Sequence, residues 1–155
     1  MASELRELYQ EVILDHTRNP RNLRAMGQGS ARAEGYNPLC GDRATIYLRL
    51  EQDTIRDASF EGKGCSISTA SASMMTEALK GRTRTEALAL FEAFHTLITG
   101  SPEQADAAVR ELGKLKVFAG VSEFPARVKC ATLAWHTMRS ALEGGSETAT
   151  TTEKD

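Results

Sequence analysis

Three cysteines lie far apart in the chain, at Cys40, Cys65 and Cys130. Cys40 stands two residues before Asp42, and the intervening Gly41 favours a turn in which the two side chains converge. Three thiolates and one carboxylate would supply the four ligands that tetrahedral zinc takes. The chain has no closely spaced cysteine pair, so spacing alone leaves two interpretations open. The set is either a metal site, or one buried thiol with two exposed thiols and an aspartate that serves only the turn.

The positions of Cys65 and Cys130 favour chemistry over simple packing. Cys65 follows a glycine-rich turn at 62–64 and stands at the start of a predicted helix, with Ser66 as its expected N-cap. The free N–H groups and the dipole of a helix N-terminus lower the pKa of a thiol. Cys130 lies off the apolar stripe of the last predicted helix. Arg127 precedes it by one turn, and its charge could offset an excess of anionic ligands.

Hydrophobic periodicity predicts the elements that must position these residues. The predicted elements are a helix at 5–16, strands at 31–36, 46–51 and 54–60, and helices at 67–78, 85–99, 101–112 and 128–142. A helix, a small antiparallel sheet and then further helices predict an α+β fold in a single domain, residues 1–143. The polar residues 144–155 lack core-forming side chains and are expected to be a disordered tail.

Composition excludes several classes of partner. The chain has 155 residues, 41% apolar and 26% charged, with a net charge of −2. That balance gives no bulk attraction to nucleic acid or to an anionic membrane. No apolar run is long enough to span a bilayer, and the acidic start does not resemble an export signal, so a cytoplasmic protein is expected. A modest basic patch is either solvated surface or a contact for an acidic partner face; its members are Arg18, Arg21, Arg24 and Arg32.

Four local motifs are far more specific than the cysteine spacing. They read DHTRNPRN at 15–22, GYNPLCGD at 35–42, FEGKGCSISTASASMM at 60–75 and PARVKCATLAW at 125–135. In these motifs and in their order, the chain resembles the SufU branch of the IscU-like iron–sulfur assembly proteins. The resemblance runs from the first predicted helix to the last and leaves out only the polar tail.

The resemblance implies a fold, a metal and a partner. The implied fold is a three-stranded antiparallel sheet packed against about five helices, with a metal site at one exposed end. Cys40, Asp42, Cys65 and Cys130 fall on the positions of the four zinc ligands. Cys40 also falls on the thiol that accepts persulfide sulfur from a SufS-like, pyridoxal-phosphate-dependent cysteine desulfurase. Arg127 matches a basic position beside the site, which makes it a second candidate catalytic residue.

Two departures separate this chain from the IscU proteins that assemble clusters. Those proteins carry a histidine just before the last cysteine, where this chain has Lys129, and a cationic amine cannot replace imidazole as a ligand. They also carry a leucine–proline–proline–valine–lysine loop, where this chain reads EFPARVK at 123–129. The segment at about 100–120 resembles the insertion that marks the SufU branch.

These departures favour a zinc-dependent sulfurtransferase that relays sulfur to the downstream iron–sulfur assembly machinery. A thiolate bound to zinc is a weak nucleophile, so the hypothesis includes replacement of Cys40 on the metal by a partner group during docking. The main alternative is a scaffold that holds iron as a transient [2Fe–2S] cluster and delivers it to apo proteins. A third alternative is structural zinc in a docking module, in which Cys40 is dispensable for sulfur flow.

Overall fold

The computed structural model describes residues 2–27, 30–38, 41–144 and 149–150. Its strands are β1 (Ala31–Asn37), β2 (Asp42–Glu51), β3 (Thr54–Lys63) and β4 (Ala149–Thr150). Its helices are α1 (Ala2–Arg18), α2 (Ser66–Leu79), α3 (Arg84–Thr99), α4 (Pro102–Leu112) and α5 (Pro125–Leu142), with a 3₁₀ segment (Gly113–Glu123) between α4 and α5. No helix in this part of the chain combines the length and apolar character needed to cross a bilayer.

The predicted α+β fold is confirmed, with a sheet in the order β3-β2-β1-β4. β1, β2 and β3 form the expected antiparallel sheet, and Asn37 at the end of β1 pairs with Asp42 at the start of β2. The sequence did not predict β4, whose two residues pair in parallel with Gly35 and Tyr36. Residues 145–148 and 151–155 lie outside the described residues, so disorder in that part of the tail stays a prediction.

Helices α2 and α5 pack on each other and on the sheet, and they enclose the core. The Ser71 hydroxyl on α2 donates to the Ala131 carbonyl at 2.5 Å and accepts from the Trp135 indole N–H at 3.1 Å, so it links the two helices. Trp135 is fully buried and stacks on Phe94 with ring centroids 4.5 Å apart. Because a buried indole N–H needs an acceptor, this hydrogen bond fixes the pairing of α5 with α2.

A close approach between α5 and β1 depends on Gly35. A Cβ at this position would lie 2.0 Å from the Thr137 hydroxyl and 3.1 Å from a methyl carbon of Leu133. Only glycine leaves room for α5 to lie directly against the strand. The contact brings the N-terminal half of α5 towards the end of the sheet at which β1 ends and β2 begins.

Helix α1 is held on α2 by side chains at its C-terminal end. His16 is buried, and its Nδ1 lies 2.7 Å from the Ser73 hydroxyl. The Thr17 hydroxyl lies 3.1 Å from the Ser66 carbonyl in the first turn of α2. Since Ser66 follows Cys65, these contacts attach α1 beside the helix start that carries a candidate ligand.

Candidate metal centre

Asp42 is the first residue of β2, and its side chain points towards the start of α2. The residue is only 4% exposed. Its Oδ1 accepts a hydrogen bond from the Cys65 backbone N–H at 3.2 Å, and its Oδ2 lies 3.8 Å from the Cys65 Sγ. Asp42 therefore does more than serve a turn, because it belongs to β2 and its carboxylate reaches Cys65, another candidate ligand.

Gly64 makes this approach possible. A Cβ on Gly64 would lie 3.0 Å from the Asp42 Oδ1 and 3.0 Å from the Ser68 hydroxyl, closer than nearly all real Cβ contacts. Gly62 and Lys63 pair with β2 as the end of β3, so the turn expected at 62–64 was wrong for these two residues. The backbone of Gly64 lies against the Asp42 carboxylate, where a side chain would not fit.

Cys65 is the N-cap of α2, and the expectation that Ser66 takes this position was wrong. Cys65 has extended backbone angles, with φ −71° and ψ 172°, and the helix begins at Ser66. The pKa of the Cys65 thiol is lowered from its ordinary value of 9.0 to about 6. A hydrogen bond from Cys130 contributes most, burial opposes it, and the N–H groups of Ser68 and Ile67 add to the lowering while the Asp42 charge raises the pKa.

Cys130 approaches from the second turn of α5 and is 2% exposed. Its Sγ lies 3.7 Å from the Ala126 carbonyl oxygen, one turn earlier in the helix. The ligand atoms of Asp42, Cys65 and Cys130 all lie within 4.8 Å of one another. Two thiol sulfurs and a carboxylate oxygen at this separation form a donor set that suits zinc or another thiophilic metal.

Cys40 lies outside the described residues, and its part in the cluster stays a prediction. The flanking residues show a tight turn, because the Gly41 N–H donates to the Asn37 carbonyl at 2.8 Å. Gly41 adopts φ +77°, which favours glycine. Asn37 and Asp42, on either side of this segment, are paired across the sheet.

Arg127 lies in the first turn of α5 and is exposed. The charge of a Cys65 thiolate is the main cause that raises the pKa of Arg127. A hydrogen bond to Cys65 and the charge of Cys130 also raise it. The guanidinium is therefore a neighbour of both thiols, and its catalytic role stays a prediction.

The arginine patch is largely paired within the chain. Arg21 contacts Asp15, Arg24 contacts Asp57 and Arg32 contacts Glu34, each at 2.7 Å. These ion pairs reduce the positive charge that the patch presents to an acidic partner, so they favour the interpretation of a solvated surface.

Comparison with known proteins identifies the family of the chain. A family model described as the NifU-like N-terminal domain matches residues 8–131. The chain belongs to this family. The match covers β1 to β3 and all three candidate ligands in the described cluster.

Relatives of this NifU-like domain carry two kinds of name. The zinc-dependent sulfurtransferase SufU of Bacillus subtilis is 43% identical over 147 residues, which cover 93% of this chain and 97% of the relative. The iron–sulfur cluster assembly scaffold protein IscU of Streptococcus pyogenes serotype M1 is 40% identical over 141 residues, covering 91% and 86%. A crystal structure from Fervidobacterium islandicum AW-1, described as a candidate scaffold for the SUF system, is 34% identical, with a TM-score of 0.77 over 85% of this chain and 94% of the other. The chain is thus similar to SufU- and IscU-type members of the family, whose names refer to sulfur transfer and to iron–sulfur cluster assembly.

Proposed function

We propose that this chain is a zinc-dependent sulfurtransferase that accepts persulfide sulfur on Cys40 from a cysteine desulfurase and relays it for iron–sulfur cluster assembly. The observation that carries the proposal is the convergence of Asp42, Cys65 and Cys130, whose ligand atoms lie within 4.8 Å although they come from distant parts of the chain. The extensive identity to a relative named as a zinc-dependent sulfurtransferase supports it.

Zinc would be held by Cys40, Asp42, Cys65 and Cys130. Thiolate sulfur and carboxylate oxygen are both ordinary zinc ligands, so the donors present fit the metal. When bound, zinc would supply positive charge that keeps the thiols deprotonated. Four anionic ligands exceed the charge of one zinc ion, and the neighbouring Arg127 guanidinium offsets part of that excess.

The proposed transfer is an exchange at sulfur. The Cys40 thiolate attacks the outer sulfur of the persulfide on the desulfurase, and a new S–S bond forms on Cys40. The S–S bond of the donor breaks and the donor cysteine leaves as a thiolate, so the step needs no external oxidant or reductant. Arg127 provides a fixed positive charge beside the site at which anionic sulfur arrives.

A second function is the assembly of a transient [2Fe–2S] cluster and its delivery to apo proteins. It is favoured by the scaffold name of the Streptococcus pyogenes relative and by the suitability of thiolates as cluster ligands. Lys129 argues against it, because the residue before Cys130 supplies an ammonium group that cannot ligate iron. Anaerobic incubation with iron and sulfide distinguishes the two functions, since the scaffold should form a coloured cluster without prior removal of zinc.

The direct test of the relay compares the wild-type protein with Cys40→Ser. Each is incubated with a cysteine desulfurase and cysteine, and the Cys40 peptide is examined by mass spectrometry for an added sulfur. We expect the wild-type protein to carry the sulfur and to accelerate the desulfurase, and Cys40→Ser to lose most of that acceleration. A Cys40→Ser protein that stimulates the desulfurase as well as the wild type would contradict the relay and would support the docking module with structural zinc.

A further inference from the structure

An apolar groove runs beside the thiol cluster, between α1, the 3₁₀ segment and the start of α5. Its volume is about 360 Å³. Neither the sequence motifs nor the metal centre accounts for it. Apolar side chains form most of its lining, among them Ile13, Ile67, Val121 and Phe124, and two charged residues, Glu123 and Arg127, also line it.

Phe124 is the most exposed large apolar side chain in the described part of the protein, at 60%. Its backbone is nevertheless firmly held. The Phe124 N–H donates to the Val121 carbonyl at 2.9 Å, and its own carbonyl accepts from the Arg127 N–H at 2.8 Å. An aromatic side chain on a fixed backbone loses little conformational freedom on binding, which is typical of an anchor residue in a protein interface.

One end of the groove is continuous with the thiol cluster. Arg127 lines the groove, and its guanidinium also neighbours the sulfurs of Cys65 and Cys130. Ile67 lines the groove as well and stands two residues after Cys65. A protein that brings sulfur to this cluster must therefore cover the Arg127 end of the groove.

We propose that the groove holds an apolar side chain of the sulfur-donating desulfurase, taken from the segment next to its persulfide cysteine. The inference rests on the proposed function and adds the surface by which the donor is recognised. The groove and the Arg127 guanidinium beside it would match an apolar side chain that lies next to a negatively charged persulfide. The apolar walls take the side chain, and Arg127 faces the negative charge of the persulfide.

Two variants remove the docking surface without touching the candidate ligands. Phe124→Ser truncates the exposed anchor. Gly120→Leu fills the groove, and it should be tolerated because a Cβ on Gly120 meets no atom within 4 Å. Leu23→Ser is the matched control for the first, since Leu23 is 52% exposed outside the groove. Gly27→Leu is the control for the second, because Gly27 has equally open space.

The measurement is the Kd of each protein for the purified desulfurase of the same organism, loaded with pyridoxal phosphate, with metal content determined in parallel. We expect Phe124→Ser and Gly120→Leu each to raise the Kd by about tenfold or more, while both controls stay within about twofold. Metal content should not change, and sulfur transfer at saturating partner concentration should remain near the wild-type rate.

Equal Kd values for the groove variants and their controls would overturn the inference. It would also be overturned if wild-type protein sediments as a dimer that Phe124→Ser dissociates while its Kd for the desulfurase is unchanged, since the groove would then hold a second copy of the chain. The two proposals fail in different ways. The proposed function is wrong if the wild-type protein binds the desulfurase but gains no sulfur on Cys40. The docking proposal is wrong if sulfur transfer occurs and the groove variants bind the desulfurase with the wild-type Kd.

Discussion

Asp42 is a buried carboxylate, which is the strongest argument within the described cluster for a bound cation. Its side chain is almost fully buried, and among the described contacts it accepts one backbone hydrogen bond, from Cys65, and lies against the Cys65 sulfur. Burying a carboxylate is costly unless it is paired or coordinates a metal. Cys130 is buried as deeply, and its sulfur lies within 4.8 Å of the ligand atoms of Asp42 and Cys65, so the proposed metal ion would pair with the buried carboxylate.

The lowered pKa of His16 predicts how the free energy of unfolding depends on pH. Burial, followed by the charge of Arg21, lowers the pKa of His16 below its ordinary value of 6.5, and the charge of Glu77 opposes this. As the pH falls below about 6.5, the unfolded chain takes up a proton that the folded protein resists, so the free energy of unfolding decreases. Urea unfolding between about pH 5 and 8 should show His16→Gln losing part of this dependence. If His16→Gln kept the full wild-type pH dependence of the free energy of unfolding, His16 would not be the group responsible.

At the scale of elements, the contact between α5 and β1 determines where Cys130 lies relative to Asp42. Cys130 belongs to α5, and Asp42 begins β2, where it pairs with Asn37 at the end of β1. Gly35 on β1 sets the distance between the two elements, because its missing side chain leaves space for Thr137 on α5. A residue with no candidate chemistry is thus expected to influence the geometry of the metal centre.

Gly35→Ala should therefore weaken both folding and metal retention. The added methyl group would overlap the Thr137 hydroxyl, and overpacking of this kind costs about 1–3 kcal/mol in the free energy of unfolding. The check is urea unfolding together with competition against a zinc chelator. Combining Gly35→Ala with Thr137→Ala should restore part of both losses, because the second change removes the group that clashes. If the losses of unfolding free energy in the double variant equalled the sum of those in the two single variants, the contact between residues 35 and 137 would not be the cause.

For the molecule as a whole, the sequence predicted the layered fold better than it predicted the surfaces between elements. Three of the four candidate ligands, Asp42, Cys65 and Cys130, lie close together as expected, and the place of Cys40 stays a prediction. Cys65 and Asp42 stand in specific local motifs, and the helices and strands have regular apolar spacing, so both could be recognised. β4 could not, because two residues without apolar alternation carry no strand signal. The groove also escaped prediction, because α1, the 3₁₀ segment and the start of α5 come together only through tertiary packing.

The metal content of protein purified without added metal tests the central claim most directly. Elemental analysis and a visible spectrum would be recorded for the wild type and for Cys130→Ser, which lacks one proposed ligand. We expect one zinc per wild-type chain and no visible absorbance, with a markedly lower zinc content in Cys130→Ser. Iron with a brown absorbance would contradict the relay in favour of the scaffold, and folded wild-type protein with no metal at all would contradict the four-ligand site itself.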